Sequence, residues 1–459
     1  MNDNQVPSRQ RGTRVVRIAL GAALLVACSK DEPASPPPPA APKPAALAEE
    51  KPAGKTEQGA EKATEKADSG ETLPNGLLLA YAQFLVEGGK VLPKPGPARL
   101  EVLRLKDGEW EVETFEDSQS NVFHKAMTYT PADGEPGILT FAGMDAAVKL
   151  WRKKDGKLAA ETLWTEKFGG KWDRMRDGEV ADVYGDGKQT IIVATHDQGV
   201  VAALRPKDGG GFDVVKLGAR PDTFVHEIEL GDLNSDGVIE VYATPSEPNR
   251  LDGTEQHGEV WRFVPKDEKG PEVVADLGNR HAKEILVDDV DGDGKDELYV
   301  AVEALTKGKG EDIELVEPVE IRRYDADTPP DAGEVVATLP DRLCRFLTAG
   351  DVDGDGKKEM VAAAYRSGVW MLRSPAEPGG EWTKEQIDAE SSGFEHAAVL
   401  ADLDGDGKDE LYVAADEQGE IRRYVWENGK HRRETIHTQK VLGQLMTWNL
   451  MPVPVSLLD

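Results

Sequence analysis

Short apolar runs alternate with polar turns along most of the chain. The clearest set, close to the C-terminus, reads FEHAAVLADL, ELYVAAD, GEIRRYVW and KHRRETI. Each run is too short for a typical helix and is rich in β-branched or aromatic residues, as strands are. The pattern therefore predicts a unit of four β-strands.

The connection between the first two strands of this unit recurs along the chain. It reads ADLDGDGKDELYVAAD at Ala401–Asp416, VDDVDGDGKDELYVAV at Val287–Val302 and AGDVDGDGKKEMVAAA at Ala349–Ala364, with looser copies at Leu230–Pro245 and Val180–Thr195. The first loop aspartates lie 50–62 residues apart and are Asp182, Asp232, Asp289, Asp351 and Asp402. A repeat of this length predicts an array of small sheets.

Seven such units fit between Pro74 and Asp459. The first unit begins with GLLLAYAQFL and lacks an inner strand, which LMTWNLMPVPV at the end of the chain can supply. Such closure removes exposed sheet edges. We therefore predict an all-β fold, a seven-bladed β-propeller of four-stranded blades closed by the C-terminal strand, with six or eight blades as alternatives. A WD40 propeller is disfavoured because Trp-Asp occurs once, at Trp172-Asp173.

Each well-preserved connection carries a set of oxygen ligands. Carboxylates stand at loop positions 1, 3, 5 and 9, and a glycine at position 6 permits a sharp turn. Hard oxygen donors without His or Cys favour Ca²⁺ over zinc or copper. The predicted ligands, with position 7 contributing its carbonyl, are Asp289, Asp291, Asp293, Lys295 and Glu297; Asp351, Asp353, Asp355, Lys357 and Glu359; Asp402, Asp404, Asp406, Lys408 and Glu410; and Asp232, Asn234, Asp236, Val238 and Glu240.

We expect three strong calcium sites and a fourth with one neutral ligand. The copy at Val180–Thr195 has Tyr184 and Thr190 in ligand positions, so we expect it to be weak or empty. EF-hands are excluded, because position 12 is not Glu and strands, not helices, flank the loop. The alternative is that Asp and Gly serve only the turn, but four clustered carboxylates repel one another without a cation.

The motif Asp-x-Asp-x-Asp-Gly-x-x-Glu, placed between two strands and repeated at blade spacing, resembles the FG-GAP/VCBS repeats of integrin α-subunit-like propellers. The resemblance covers roughly Pro74 to the C-terminus. It implies a calcium-binding β-propeller. FG-GAP-like propellers are also similar to those of some polysaccharide lyases, where basic channel residues neutralise a substrate carboxylate, which implies an enzymatic alternative.

The N-terminal 73 residues predict a secreted and anchored protein. Four arginines precede a short apolar run that ends in Leu25-Val26-Ala27-Cys28. This arrangement reads as a signal peptide over residues 1–27 and resembles the bacterial lipobox, which implies cleavage before Cys28 and its lipidation. The alternative is an ordinary signal with a chance cysteine. Residues 28–73, rich in Pro, Ala, Glu and Lys, are expected to form a disordered tether to a propeller at 74–459.

Charge narrows the choice of partners. The chain has a net charge of −30, which disfavours nucleic acid because that ligand needs a basic surface. One position nevertheless recurs as a basic residue, six residues before the first loop aspartate, in Arg176, His226, Lys283, Arg345 and His396. It is predicted about 20 Å from the metal loops, at the opposite channel mouth, as an anion or ligand site. The alternative is structural pairing with nearby acids such as Glu395.

No catalytic motif is recognisable in the chain. The leading hypothesis is a non-enzymatic, lipid-anchored, calcium-stabilised propeller of the bacterial cell envelope, on the outer membrane or the cell surface, that binds a glycan or protein partner. One alternative is a polysaccharide lyase-like or other carbohydrate-active enzyme that uses the channel mouth. The other is a structural or assembly lipoprotein.

Overall fold

A computed structural model describes residues 72–458 of the chain except 132–133, 156, 171, 197, 222, 248–256, 309–312 and 377–379. The predicted signal peptide, Cys28 and nearly all of the tether lie outside these residues. The described part is almost entirely β-structure, with two single-turn 3₁₀ helices at Pro265–Asp267 and Val455–Leu457. None of its helices has the length and apolar character needed to cross a membrane.

The alternation of apolar and polar runs appears as a succession of antiparallel strands. In chain order they are β1 (Asn75–Glu87), β2 (Lys90–Pro95), β3 (Ala98–Lys106), β4 (Glu109–Asp117), β5 (Phe123–Tyr129), β6 (Gly137–Ala142), β7 (Val148–Lys154), β8 (Lys157–Trp164), β9 (Met175–Ala181), β10 (Thr190–Thr195), β11 (Val201–Pro206), β12 (Phe212–Gly218), β13 (Phe224–Gly231), β14 (Glu240–Glu247), β15 (His257–Val264), β16 (Lys269–Asp276), β17 (Ala282–Asp288), β18 (Glu297–Val302), β19 (Leu305–Lys307), β20 (Glu314–Glu317), β21 (Val319–Tyr324), β22 (Glu334–Leu339), β23 (Cys344–Gly350), β24 (Glu359–Ala364), β25 (Gly368–Arg373), β26 (Thr383–Asp388), β27 (Ala398–Ala401), β28 (Glu410–Ala415), β29 (Glu420–Glu427), β30 (Lys430–Thr438) and β31 (Leu445–Pro454).

These strands form seven four-stranded blades, which confirms the predicted count. From the inside outwards the blades are β31-β1-β3-β4, β5-β6-β7-β8, β9-β10-β11-β12, β13-β14-β15-β16, β17-β18-β21-β22, β23-β24-β25-β26 and β27-β28-β29-β30. Two hairpins extend the second strand of a blade: β2 pairs with the far end of β1, and β19 pairs with β20. Both hairpins lie at the end of the blades opposite the metal loops.

The last strand closes the ring. β31 pairs antiparallel with β1, in a register that runs from Asn75–Pro454 to Gln83–Leu445. β1 therefore becomes the second strand of the first blade, as the sequence predicts. Closure leaves the inner edge of β1 paired instead of open.

The core lies between neighbouring blades. Side chains alternate across each second strand, so that Met360 and Ala362 pack against the fifth blade while Val361 and Ala363 pack against the seventh. All of Met360–Ala364 is fully buried. Cys344 is also fully buried in the core between blades five and six. Trp261, an aromatic residue of a third strand, packs in the core and is 2% exposed.

A recurring irregularity shapes the inner strands. In six of the seven blades the pairing of the innermost strand with its neighbour shifts register at one site, as a β-bulge does. In the fourth and fifth blades two successive residues are unpaired, and Glu227 and Glu284 are the second of them. The first unpaired residues at the six sites are His124, Arg176, His226, Lys283, Arg345 and Trp448. Five of these six are basic residues. A bulge re-aims side chains and bends the strand, and it therefore places these residues at the channel mouth.

Candidate functional site

The metal loops are held in shape by their first aspartate. Asp289 Oδ1 accepts hydrogen bonds from the N–H groups of Gly292 at 2.8 Å and Asp293 at 3.1 Å, and its Oδ2 accepts one from Gly294 at 2.9 Å. Gly294 has a φ of +88°, which disfavours any residue with a Cβ. Asp351 and Asp402 make the same three contacts in the next two blades.

Three of the predicted loops bring their carboxylates together. One oxygen from each member of a group lies within 4.8 Å of the others, and the groups are Asp289, Asp291, Asp293 and Glu297; Asp351, Asp353 and Glu359; and Asp402, Asp404 and Asp406. Asp355 and Glu410, which the sequence also predicts as ligands, are not members of these groups. An all-carboxylate donor set of this kind can hold a metal ion and fits Ca²⁺ chemically.

The glutamate at position 9 is the buried member of each loop. Glu297 is 2% exposed, and its Oε2 accepts a hydrogen bond from the Tyr299 hydroxyl at 3.0 Å. Burial raises the pKa of Glu297 to about 7, with Asp291 and Asp293 adding to the rise and Arg323 opposing it. The same tyrosine contact recurs as Tyr242 to Glu240 and Tyr412 to Glu410.

An arginine from the third strand of the blade completes each loop. Arg323 contacts Asp291 at 2.7 Å and Glu297 at 3.2 Å. Arg262 and Arg373 contact their position-9 glutamates at 3.3 Å, and Arg423 contacts Glu410 as well as Asp404 at 3.3 Å. Sequence reasoning missed these arginines and the tyrosines. The signal was present in the recurring third-strand motif IRRY at Ile321–Tyr324 and Ile421–Tyr424 and in the Tyr of ELY.

The fourth loop keeps the turn but not the convergence of carboxylates. Asp232 accepts from the N–H groups of Asp236 at 3.0 Å and Gly237 at 2.7 Å, as in the stronger copies. Asn234 Nδ2 lies 3.4 Å from Glu240 Oε1, and a cavity of about 110 Å³ opens beside these residues. The amide in place of a carboxylate lowers the charge of this loop, as the sequence indicates.

The copy at Val180–Thr195 has an arginine where the other loops have a cluster of acids. Arg205 contacts Asp186 at 2.7 and 3.1 Å, and its guanidinium lies 4.6 Å from the centre of the Tyr184 ring. The first aspartate, Asp182, still accepts from the N–H groups of Asp186 and Gly187. This loop therefore retains its shape with a guanidinium beside it.

Neighbouring loops are joined to each other. The residue at position 8 reaches back to the previous blade: Asp296 accepts from the N–H of Asp232 at 2.8 Å, and Lys358 pairs with Asp288 at 2.5 Å. The sequence indicates this contact too, since GKDE, which contains the aspartate at position 8, occurs in two of the three strong copies. Asp409 of the seventh blade makes the same kind of link to Asp351 of the sixth, so the metal face is a connected belt from the fourth blade to the seventh.

At the opposite mouth, the structure brings together four of the five predicted basic residues. Arg176, His226, Lys283 and Arg345 are all buried. Arg345 pairs with Glu303 at 2.7 Å and with Glu395 at 3.3 Å, and Arg176 pairs with Glu395 at 3.0 Å. Two carboxylates therefore neutralise most of this charge.

Two further properties of this mouth follow from burial. Burial lowers the pKa of Lys283 to about 7, against the opposing effect of Glu303. The two ring nitrogens of His226 are buried without a hydrogen-bond partner, and burial together with Lys283 holds its pKa well below the usual value. Trp448 covers Arg176 at 4.4 Å.

His396 lies apart from this group, contrary to the shared mouth that the sequence predicts. Its Nδ1 is 2.6 Å from the carbonyl oxygen of Ala364 in the sixth blade, and its Nε2 is 2.7 Å from Ser391 Oγ. The reason is local: β27 begins only at Ala398, so His396 precedes the strand, with a φ of +57°. Its ring therefore turns between blades.

Below the basic mouth lies an acidic section of the channel. Lys125 pairs with Asp177 at 3.1 Å and with Glu179 on the next inner strand. Asp177 also accepts from the N–H of Ile228, and Glu284 from that of Leu347, which ties successive inner strands together. Burial, followed by nearby carboxylates, raises the pKa values of Glu227, Glu229 and Glu284 well above normal.

The chain resembles known proteins in one sequence repeat and in its fold. The sequence profile of the FG-GAP-like repeat matches residues 351–413, which contain the metal loops of the sixth and seventh blades. Two solved structures of candidate 6-phosphogluconolactonases resemble the chain. The one from Bacteroides fragilis has 15% sequence identity and a TM-score of 0.47, and the match covers 83% of this chain and 98% of that one. The one from Bacteroides uniformis has 13% sequence identity and a TM-score of 0.50, and the match covers 83% of this chain and 99% of that one.

At such identities the likeness concerns the fold alone. No curated protein matches the chain in sequence. The repeat match, the loops between first and second strands, and the seven closed blades lead to one conclusion. The chain is a seven-bladed β-propeller, and its residues 351–413 match the FG-GAP-like repeat.

Proposed function

We propose that this propeller is a lipid-anchored, calcium-stabilised binding module of the bacterial cell envelope, not an enzyme, and that its partner is a glycan or a protein. The observation that carries the proposal is the convergence of carboxylates in three successive loops on one face of a closed ring. Like charges this close repel unless a cation lies among them. Calcium bound there would stabilise the folded ring by mass action.

The residues that would hold calcium are those of the three convergent groups, with the carbonyls of Lys295, Lys357 and Lys408 as further oxygen donors. The fourth loop, at Asp232–Glu240, would bind more weakly because Asn234 is neutral. Bound calcium supplies charge compensation and rigidity in this proposal. The first experiment is therefore calcium titration by calorimetry on the chelator-treated protein, with three or four sites expected and no binding as the contrary result.

The proposed anchor rests on the sequence around Cys28. Cys28→Ser should abolish incorporation of labelled fatty acid and release the protein from membranes, because a thiol is required for lipidation and several acyl chains for stable anchoring. Cys344→Ala is the matched control, since Cys344 is the only other cysteine of the chain and is buried. Membrane retention of the Cys28→Ser protein, or absence of label in the unmodified one, would contradict the anchor.

The partner surface we propose is the mouth opposite the metal loops. Both hairpin extensions lie there, and Leu315 and Val316 of β20 are 44% and 52% exposed. Leu85, at the base of the other hairpin, is 42% exposed. A glycan array with and without calcium, followed by variants of these three side chains to Ser, tests the surface. Unchanged binding of a hit by all three variants would place the ligand elsewhere.

A second candidate is recognition of an acidic ligand, such as a uronic acid or sulfated glycan, at the basic mouth, with or without cleavage. Two observations favour it. Three basic side chains at this mouth, those of Arg176, Lys283 and Arg345, face the two carboxylates described above, and both ring nitrogens of His226 lack a hydrogen-bond partner among the described residues. The double variant Lys283→Ala with Arg345→Ala should abolish binding of an acidic hit and leave the calcium-dependent melting shift intact. Turnover of that hit by the unmodified protein would distinguish the enzyme from the binding module.

A further inference from the structure

In each of four loops on the metal face, a cationic side chain of the protein lies beside the carboxylates. It is the guanidinium of a third-strand arginine, and the four are Arg262, Arg323, Arg373 and Arg423. Each lies within 3.3 Å of the position-9 glutamate of its own blade. Arg323 and Arg423 also contact the aspartate at position 3, so two predicted metal ligands are engaged by one side chain.

The third blade contains the extreme case. Its arginine, Arg205, contacts Asp186 at position 5 and lies over Tyr184 at position 3, while position 9 is Thr190. The turn around Asp182 is nevertheless the same as in the acidic loops, with contacts of 3.0 and 2.7 Å to the N–H groups of Asp186 and Gly187. A guanidinium beside the loop is thus compatible with the full loop fold.

We propose that the third-strand arginines are built-in counter-cations that support each loop without metal and weaken its affinity for calcium, and that in the third blade the arginine has replaced the metal. This inference rests on the proposed calcium binding. Calcium needs oxygen lone pairs that the arginine already occupies. The positive charge of the arginine also repels a divalent cation held by the same carboxylates.

The loops should therefore differ in how strongly their arginine acts. Arg323 and Arg423 each engage two ligands and are 17% and 7% exposed, so their charges are only partly screened. Arg373 engages Glu359 alone among the predicted ligands and is 29% exposed. Substitution of Arg373 should accordingly change calcium affinity less than substitution of either of the others.

The test is calcium titration of the full-length protein carrying Arg323→Gln and Arg423→Gln together. We expect the calcium concentration at half-saturation of the affected sites to fall about tenfold, because each site loses a neighbouring positive charge and regains free carboxylate oxygens. In the absence of calcium the same variant should melt at a lower temperature. Its melting shift on addition of calcium should consequently be larger than that of the unmodified protein.

Two matched controls accompany this test. The first distinguishes the effect of the arginine's charge from that of its shape, and the second compares the metal loops with the loop of the third blade. Arg323→Lys with Arg423→Lys keeps both charges, and its calcium affinity should stay close to that of the unmodified protein. Arg205→Gln should lower the melting temperature by the same amount with and without calcium. If the Gln double variant does not fold without metal, the single variant Arg423→Gln provides the same comparison.

The outcomes are distinct. Equal or weaker calcium binding by the Gln variants, while the unmodified protein binds, would overturn the inference and leave the proposed function intact. Lys variants that behave like the Gln variants would overturn the role of charge. Failure of the unmodified protein to bind calcium would overturn both the inference and the calcium-dependent part of the proposed function.

Discussion

The side chain of Asp409 accepts a hydrogen bond from the backbone N–H of Asp351 at 2.9 Å, and the backbone N–H of Asp409 donates to the carbonyl oxygen of Asp351 at the same distance. Asp409 is position 8 of the metal loop in the seventh blade, and Asp351 is position 1 of the metal loop in the sixth blade. The residue that organises one metal loop is therefore held directly by the next blade. Order in one loop should support order in its neighbour.

Asp409→Ala is predicted to destabilise the protein by about 1 kcal/mol, because it leaves the partly buried N–H of Asp351 without its side-chain acceptor. Asp409→Asn keeps an acceptor oxygen and should cost less. Chemical denaturation of both variants in excess calcium gives the comparison. Equal effects of Ala and Asn would mean that the link between the loops contributes little.

Removal of calcium should lower the melting temperature by at least about 5 °C, because several sites each lose a stabilisation that binding to the folded state provides. Asp293→Ala and Asp406→Ala should each reduce this shift. Asp186→Ala should not, because Asp186 is engaged by Arg205. Calorimetric melting with and without chelator measures all three, and a melting curve indifferent to chelator would refute the assignment of these loops.

His396 should make the protein less stable in mild acid. Burial lowers its pKa to about 4, whereas the unfolded value is about 6.5. The unfolded chain therefore binds this proton first, and stability falls as the pH drops from about 6.5 to 4, by roughly 3 kcal/mol in total.

His396→Asn is the variant that isolates this contribution, since Asn tolerates a positive φ and does not titrate. The loss of stability between pH 7 and pH 4.5, followed by urea unfolding, should be smaller in the variant than in the unmodified protein. Parallel pH profiles would show that His396 does not contribute.

Glu229→Gln should stabilise the protein at pH 8 and have little effect at pH 4. Burial and the neighbouring Glu179 raise the folded-state pKa of Glu229 well above the unfolded value. The penalty for the charged form is therefore absent below the unfolded pKa and grows as the pH rises above it. Glu111→Gln, at an exposed position of β4, serves as the control and should change stability at neither pH. A destabilised Glu229→Gln protein at pH 8 would argue that this carboxylate has a required cationic partner.

Much of this architecture was predictable because its information is local and repeated. The short apolar runs such as Glu297–Val302 specify strands, and the spacing of Asp289, Asp291 and Asp293 specifies an oxygen-rich turn. Closure by β31 was predictable as well, because GLLLAYAQFL lacks a preceding strand in its unit. Each of these inferences needs only neighbouring residues and a count.

The channel mouth was less predictable because its contacts are not periodic. The sequence places Arg345 in a basic series, but its partners Glu303 and Glu395 come from two other blades, at unrelated loop positions. The β-bulge that aims Arg345 inwards has no sequence marker of its own. His396 has the spacing of the basic series but does not lie with it, because its strand begins only at Ala398, two residues after it.

The order in which the strands leave the ribosome has a consequence for this fold. The innermost strand of the first blade, Leu445–Pro454, is synthesised after every other strand, so β1 remains an open edge for as long as the chain is growing. An unpaired edge is a template for pairing with other chains. Closure of the ring therefore depends on Leu445–Pro454, and a chain that lacks this strand would keep the open edge of β1.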